Sequence, residues 1–397
     1  MTLSKHINKI GASPTMKIAQ AAKELLLNGE DIIDLSVGEP DFPTPKNIKD
    51  AAIRAVENNF TKYTVNAGTI ELRNAIARKL KDDNGLNYSP NEIIVSAGAK
   101  QCVYNAVQAI VYSDDEVIIP APYYVSYPPI VSMAHGQPIF INTTEETGFK
   151  ITPKQLKDVI TSKTKLLIIC NPCNPTGVAY TKNELEELKE ILEEGKFYIL
   201  TDEIYEKIIY DDYKFTSIAS LSDKIKNKTI VVNGHSKAYS MTGWRIGYAA
   251  GPENIIKAMA KVQSHCTANA SSISQAAAVE ALNGPQDSVE FMRKEFEFRR
   301  NFFHSELYSI KGITCEKPQG AFYLFPNISF YFGKSSGTNK IENSFDLAMY
   351  LLNEAKVAVV PGSSFGAEGY IRLSYSTSME NLKEGIIRIK AALQKLK

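Results

Sequence analysis

Lysine 237, in the run GHSKAYSMTGWRIG (234–247), is placed where an amine can do covalent chemistry. It follows a β-branched run, Thr229-Ile230-Val231-Val232, closed by Asn233-Gly234. That pattern predicts a buried strand delivering the lysine to its end. An amine desolvated there loses its proton more readily and can attack a carbonyl to form a Schiff base. Eight positions on, Arg245 offers a planar, permanently charged fork suited to a phosphate. On these residues alone, a solvated surface lysine is an equal reading.

Four further groups could act beside it. Asp202, in TDEIYE, ends another predicted strand, where a carboxylate is costly unless paired. It can hold a protonated ring nitrogen and keep an electron-withdrawing ring cationic, or it can cap a helix. Tyr205 shares its face if the segment turns helical, and its phenol can donate to a ring oxygen or pack in the core. NPCNPTG (171–177) is a proline-stiffened turn from which Asn174 can bond a ring hydroxyl or a carboxylate; alone it reads as a tight loop. SAGAKQ (96–101) opens a helix through small residues, so Gly98, Ala99 and Lys100 can bind a phosphate or simply start that helix. Arg372, in YIRLSYS, is flanked by apolar residues on a predicted strand, and facing inward it needs an anion: a substrate carboxylate or an internal acid.

These residues need elements to position them. Short apolar strands are predicted at 92–96, 116–120, 165–170, 197–201 and 229–232. A helix is predicted over 101–111, and a capping signal, Thr181-x-x-Glu184, opens another to about Glu194. Alternation of this kind predicts an α/β fold, a mainly parallel sheet covered by helices on both faces. Each strand runs into a polar, turn-rich cluster: SAGAK, PAPYYVSYPP, NPCNPTG, TDEIYE and NGHSK. Ligand groups gather beyond the carboxyl ends of strands in such sheets, so five clusters predict one composite pocket. After about Gly284-Pro285 a long charged helix (287–307) and strands at 320–324, 357–360 and 370–373 predict a smaller α+β domain. We therefore expect a large domain over 46–284 and a small one over 285–397, joined by the N-terminal arm 1–45. Residues 333–339 (GKSSGTN) read as a surface loop.

Composition narrows the partners. Among 397 residues, 45 Lys and Arg nearly cancel 44 Asp and Glu, so no basic face for nucleic acid is implied. The first twenty residues have no apolar core, and no stretch approaches the length of a membrane span, so a cytoplasmic protein is expected. Five cysteines at scattered spacing argue against a disulfide framework. Cys170 and Cys173 spell CxxC but overlap the NPCNPTG turn, and no second ligand pair completes a metal site, so none is expected. Neither GxxxxGK nor GxGxxG occurs.

Taken together, SVGEPDF (36–42), KYTVNAG, NPCNPTG, DEIYE, SKAYSMTGWRIGY, VVPGSSF and IRLSYS resemble, in order and spacing, the class I pyridoxal-phosphate aminotransferases of fold type I. The branch most resembled is the bacterial aspartate aminotransferases, over nearly the whole chain. The resemblance implies pyridoxal 5'-phosphate as cofactor, with Lys237 as Schiff-base anchor and proton carrier. It implies Asp202 on the ring nitrogen, Tyr205 and Asn174 on the ring hydroxyl, and Tyr124 stacked on the ring. Ala99, Lys100 and Arg245 would bind the phosphate, with Tyr63 lent by the neighbouring subunit of a homodimer. Gly38 and Arg372 would hold the α-carboxylate, assisted by Asn174, with Tyr124 also against the substrate. The distal carboxylate of a dicarboxylic substrate would meet Lys100, Ser13 and Thr15. The implied reaction moves the amino group of L-aspartate to 2-oxoglutarate. Aromatic or other aminotransferases and C–S lyases share the scaffold, and a catalytically dead homologue would lack reason to keep Lys237, Asp202 and Arg372. Two departures stand out: His235 replaces a small or apolar residue, and Gly11 replaces the long residue of relatives that accept prephenate, which argues against that substrate.

Overall fold

Runs of Val, Ile and Leu too short for helices become strands, and burial on both faces decides how they assemble. The computed structural model describes residues 14–397, Thr338 excepted. Its strands are β1 (Ile33–Asp34), β2 (Ile93–Ser96), β3 (Glu116–Ala121), β4 (Gln137–Asn142), β5 (Thr164–Cys170), β6 (Tyr198–Asp202) and β7 (Thr229–Gly234). They continue as β8 (Gly247–Ala250), β9 (Tyr323–Leu324), β10 (Ser335–Ser336), β11 (Asn339–Lys340), β12 (Val357–Ala358), β13 (Val360–Pro361) and β14 (Ile371–Ser374).

Seven strands form one sheet in the order β2-β8-β7-β6-β5-β3-β4. Neighbours from β7 through β4 pair in parallel, whereas β8 is antiparallel to both β2 and β7. Alternate side chains of β7 enter different cores: Val231 packs with Leu72, Ile76 and Ala277, while Ile230 and Val232 pack with Val103, Ala106 and Met259. Helices thus cover both faces, as the sequence pattern predicts. The sheet is larger than expected because β4 and β8 join it. The first carries Gln137 and Pro138, and the second is Gly-Tyr-Ala-Ala, so neither shows a β-branched apolar run.

The local signals act as their chemistry dictates. Thr181 accepts a hydrogen bond from the Glu184 N–H at 3.2 Å, and the Glu184 carboxylate accepts one from the Thr181 N–H at 2.7 Å, opening the helix Lys182–Glu194. The helix after β2 spans Ala99–Ile110 and so begins two residues earlier than its apolar periodicity implies.

The remaining strands differ from the sequence expectation in one instructive way. Residues 357–360 look like one strand but are two: β12 pairs in parallel with β1, while β13 joins β14 and β9 in a three-stranded antiparallel sheet. Residues 333–339 are more than a loop, since β10 and β11 form a short hairpin there. The N-terminal Ile18, Ala22, Ile33 and Leu35 share a core with Phe296, Phe303, Leu351 and Ile386 from the end of the chain. The charged helix runs Asp287–Tyr308, and Arg300 on it is fully buried, its fork bonded to Asp211 at 2.8 Å.

Candidate active site

All five predicted strand-end clusters open into one cavity of about 540 Å³. Ala99 and Lys100 follow β2, Tyr124 follows β3, Asn174 follows β5, Asp202 and Tyr205 sit at the end of β6, and Lys237 lies just past β7. Arg372 from β14 and Gly38 from the segment after β1 close the opposite wall.

β7 is buried along its whole length, so its end carries Lys237 into a low-dielectric site. The ammonium donates to the carbonyl of Gly38 and lies 5.9 Å from the centre of the Tyr205 ring. Burial, then the nearby positive charge of Arg372, pushes its pKa down to about 8. An amine so placed is half unprotonated near pH 8. In the cofactor-free chain, borohydride trapping of a small aldehyde on Lys237 should therefore reach half its maximum near pH 8, against about 10.5 for an ordinary lysine. Mass spectrometry of the trapped peptide checks this, and a midpoint near 10.5 would contradict it.

Asp202 caps no helix. The segment after it forms a turn, and that turn, instead of the helix considered from the sequence, brings Tyr205 to the same cavity. The Asp202 carboxylate accepts a hydrogen bond from the Tyr127 hydroxyl at 2.8 Å and a long one, 3.4 Å, from the Ile204 N–H. Burial raises its pKa, and its neighbours only partly offset this. Tyr127 is a functional neighbour that sequence reasoning missed; its only signal is the aromatic run after β3. Tyr205 is likewise buried, with its hydroxyl 2.7 Å from that of Tyr323.

Opposite the ring-sized space lies an anion cradle. Gly98, at φ +91°, precedes the helix Ala99–Ile110, whose first N–H groups have no helical carbonyl to bond. A Cβ at Gly98 would stand 2.6 Å from the Arg245 guanidinium, so glycine is what lets that guanidinium approach the helix end. Arg245 is itself held by a 2.9 Å bond to the Thr242 carbonyl. The Lys100 ammonium lies 5.5 Å from the centre of the Tyr124 ring, which meets Tyr127 edge-on.

Arg372 is buried with no carboxylate among its hydrogen-bond partners in the described residues. It donates to the Asn174 side-chain oxygen at 3.0 Å and to the Ser36 carbonyl at 2.6 Å, and its Nε has no partner among the described residues. The internal ion pair considered from the sequence is not formed. Tyr63 is 88% exposed and does not line the cavity of its own chain. Ser13, Gly11 and the side chain of Thr15 lie outside the described residues.

His235 points away from chemistry. It is buried between Tyr239 and Tyr248, neither ring nitrogen has a partner among the described residues, and burial depresses its pKa to about 3. Cys170 lines the cavity and Cys173 is buried, both as free thiols. Among the described residues no group of three or more His, Cys, Asp or Glu could hold a metal ion, and no helix is long and apolar enough to cross a membrane.

The donor set fits a phosphorylated pyridine aldehyde. It offers an amine for the aldehyde, a buried carboxylate lacking a cation for the ring nitrogen, and a helix end with an arginine for the phosphate. Residues 30–389 match the family model for class I and II aminotransferases, and the chain belongs to that family. It is 49% identical to an aspartate aminotransferase of Bacillus subtilis, covering all of both chains. It is also 49% identical to a probable aspartate/prephenate aminotransferase of Rickettsia felis, over 98% of this chain and 96% of the relative. Its fold matches the crystal structure of an aspartate aminotransferase from Rhizobium meliloti at a TM-score of 0.97 and 44% identity, with full coverage of both.

Proposed function

We propose that the chain is an aspartate aminotransferase that moves the amino group of L-aspartate to 2-oxoglutarate, giving oxaloacetate and L-glutamate by alternating half-reactions. The observation that carries this is the convergence of Lys237, Asp202 and Arg372 on one cavity, together with the names of the full-length relatives. When bound, pyridoxal 5'-phosphate supplies the aldehyde that accepts the amino group and a ring that withdraws electrons from the α-carbon.

The chain's own residues do the rest. Nζ of Lys237 would anchor the cofactor and, as a free amine, would take the proton from the substrate α-carbon and return it to the carbon on the far side of the shared nitrogen. The Asp202 carboxylate would hold the proton on the ring nitrogen, and Tyr127, which donates to it, orients that carboxylate. Tyr205 and Asn174 would hold the ring hydroxyl, Tyr124 would pack against the ring, and Ala99, Lys100 and Arg245 would take the phosphate. Arg372 and Gly38 hold the α-carboxylate beside Tyr124 and Asn174. Lys100, Ser13 and Thr15 read the distal carboxylate.

We further propose a cytoplasmic homodimer in which Tyr63 of one copy reaches the phosphate of the other. Exposed Ile53, Val56, Phe60 and Val65 near Tyr63 support this, as does an open hollow of about 830 Å³ that shares Glu39, Thr242 and Arg245 with the site. Bodies bounded at about 45 and 284 would close over substrate, since Arg372 and Lys237 belong to opposite sides. The test is oxo-acid formation with aspartate, glutamate, phenylalanine and alanine as donors. Aspartate and glutamate should exceed the others by at least about 100-fold in kcat/KM, because a distal carboxylate left unpaired loses a charge-assisted contact. Equal or faster turnover of phenylalanine would favour an aromatic aminotransferase.

A further inference from the structure

The sequence marks Tyr323 only as a strand residue, yet three parts of the site meet on its side chain. Its ring lies under Arg372, with the guanidinium carbon 4.4 Å from the ring centre. Its hydroxyl is 2.7 Å from that of Tyr205. A Cβ on Gly38 would stand 2.7 Å from the same hydroxyl oxygen, closer than real carbon atoms approach. Gly38 is also the residue whose carbonyl accepts from Lys237. Tyr323 is fully buried, and β9 pairs with β14 so that Leu324 faces Leu373, next to Arg372.

Resting on the function proposed above, we infer that Tyr323 is a positioning residue. Its ring sets the plane of the carboxylate-binding arginine, and its hydroxyl fixes Tyr205 and restricts position 38 to glycine. Two arguments carry this. A long guanidinium stem has many rotamers, and a face beneath it selects one. Gly38 lies outside the left-handed backbone region, so no conformational need demands glycine there; the obstacle is the phenol oxygen. Without that oxygen the nearest ring atom, Cζ, would be 3.7 Å from the added Cβ, an ordinary contact.

A double-mutant cycle tests the inference on the holoenzyme. Succinate, an unreactive dicarboxylate, is titrated against the visible absorbance of wild type, Gly38→Ala, Tyr323→Phe and the double variant. Thermal unfolding of each cofactor-free chain is followed alongside. Tyr323→Phe should weaken succinate about threefold and raise KM more than it lowers kcat. Gly38→Ala should weaken it at least about tenfold and lower the unfolding midpoint, and the double variant should return to within about twofold of Tyr323→Phe in both measurements. A double variant as weak as Gly38→Ala, or weaker, overturns the steric part. Tyr323→Leu, which removes the aromatic face, should weaken succinate about tenfold with kcat less affected; wild-type affinity there overturns the platform part. Arg372→Leu separates this from the functional reading: unchanged succinate affinity in that variant would refute the role given to Arg372. The glycine and phenol cycle would still decide whether Tyr323 shapes the site.

Discussion

Lys237→Ala is expected to lower transamination of aspartate by at least about 10⁴-fold and to leave the protein without visible absorbance after incubation with pyridoxal 5'-phosphate and dialysis. Both effects come from one atom. Among the described residues Nζ is the only amine donating to the Gly38 carbonyl inside the cavity, and burial with a neighbouring cation brings its pKa to about 8. Lys100 also lines the cavity but lies over the Tyr124 ring near the helix end, out of place to substitute. Added methylamine should recover a small part of the activity, since it restores a base without restoring the tether. Turnover near the wild-type rate in Lys237→Ala would remove the basis for the proposed function.

Asp202→Asn should separate catalysis from stability. The amide oxygen can still accept from the Tyr127 hydroxyl, so the local geometry survives. The negative charge that would hold a protonated ring nitrogen is lost, and kcat/KM should fall on the order of 10³-fold. Stability should move the other way or not at all. Burial raises the folded-state pKa of Asp202 above its ordinary 3.8, so the folded chain holds this proton to higher pH than the unfolded chain does. From this group alone, stability of the cofactor-free chain falls as pH rises from about 3.8 through the raised value, and the cost persists above it. A neutral amide escapes that cost. Unfolding of the two cofactor-free chains at pH 7 should therefore show Asp202→Asn equally stable or more stable. A clearly lower midpoint would mean the carboxylate is paired more strongly than its Tyr127 and Ile204 contacts indicate.

Much of the cavity wall was legible because a parallel sheet places the groups beyond its strand ends at predictable positions. Each apolar run ends where a polar cluster begins, and five such ends lead into the cavity. What escaped depends on partners distant in sequence. Tyr127 reads as one aromatic among several until Asp202 accepts its hydrogen bond. Gly247-Tyr248-Ala249-Ala250 becomes a strand because β2 and β7 flank it, not because its residues favour strand. The break at Val359 is invisible in VAVV, since a change of pairing partner leaves no trace in hydropathy. Tyr205 shows the converse: it lines the same cavity as Asp202, but a turn and not a helix carries it there.

The pairing of β1 with β12 bears on how the molecule is made. Ile33 and Asp34 leave the ribosome about 320 residues before Val357 and Ala358, their only strand partners among the described residues. Throughout that interval Ile18, Ala22 and Leu35 lack the late-arriving side chains that cover them in the finished core. The nascent chain thus exposes these apolar side chains until the residues around 350–390 have been made, and such surface is what holding chaperones bind.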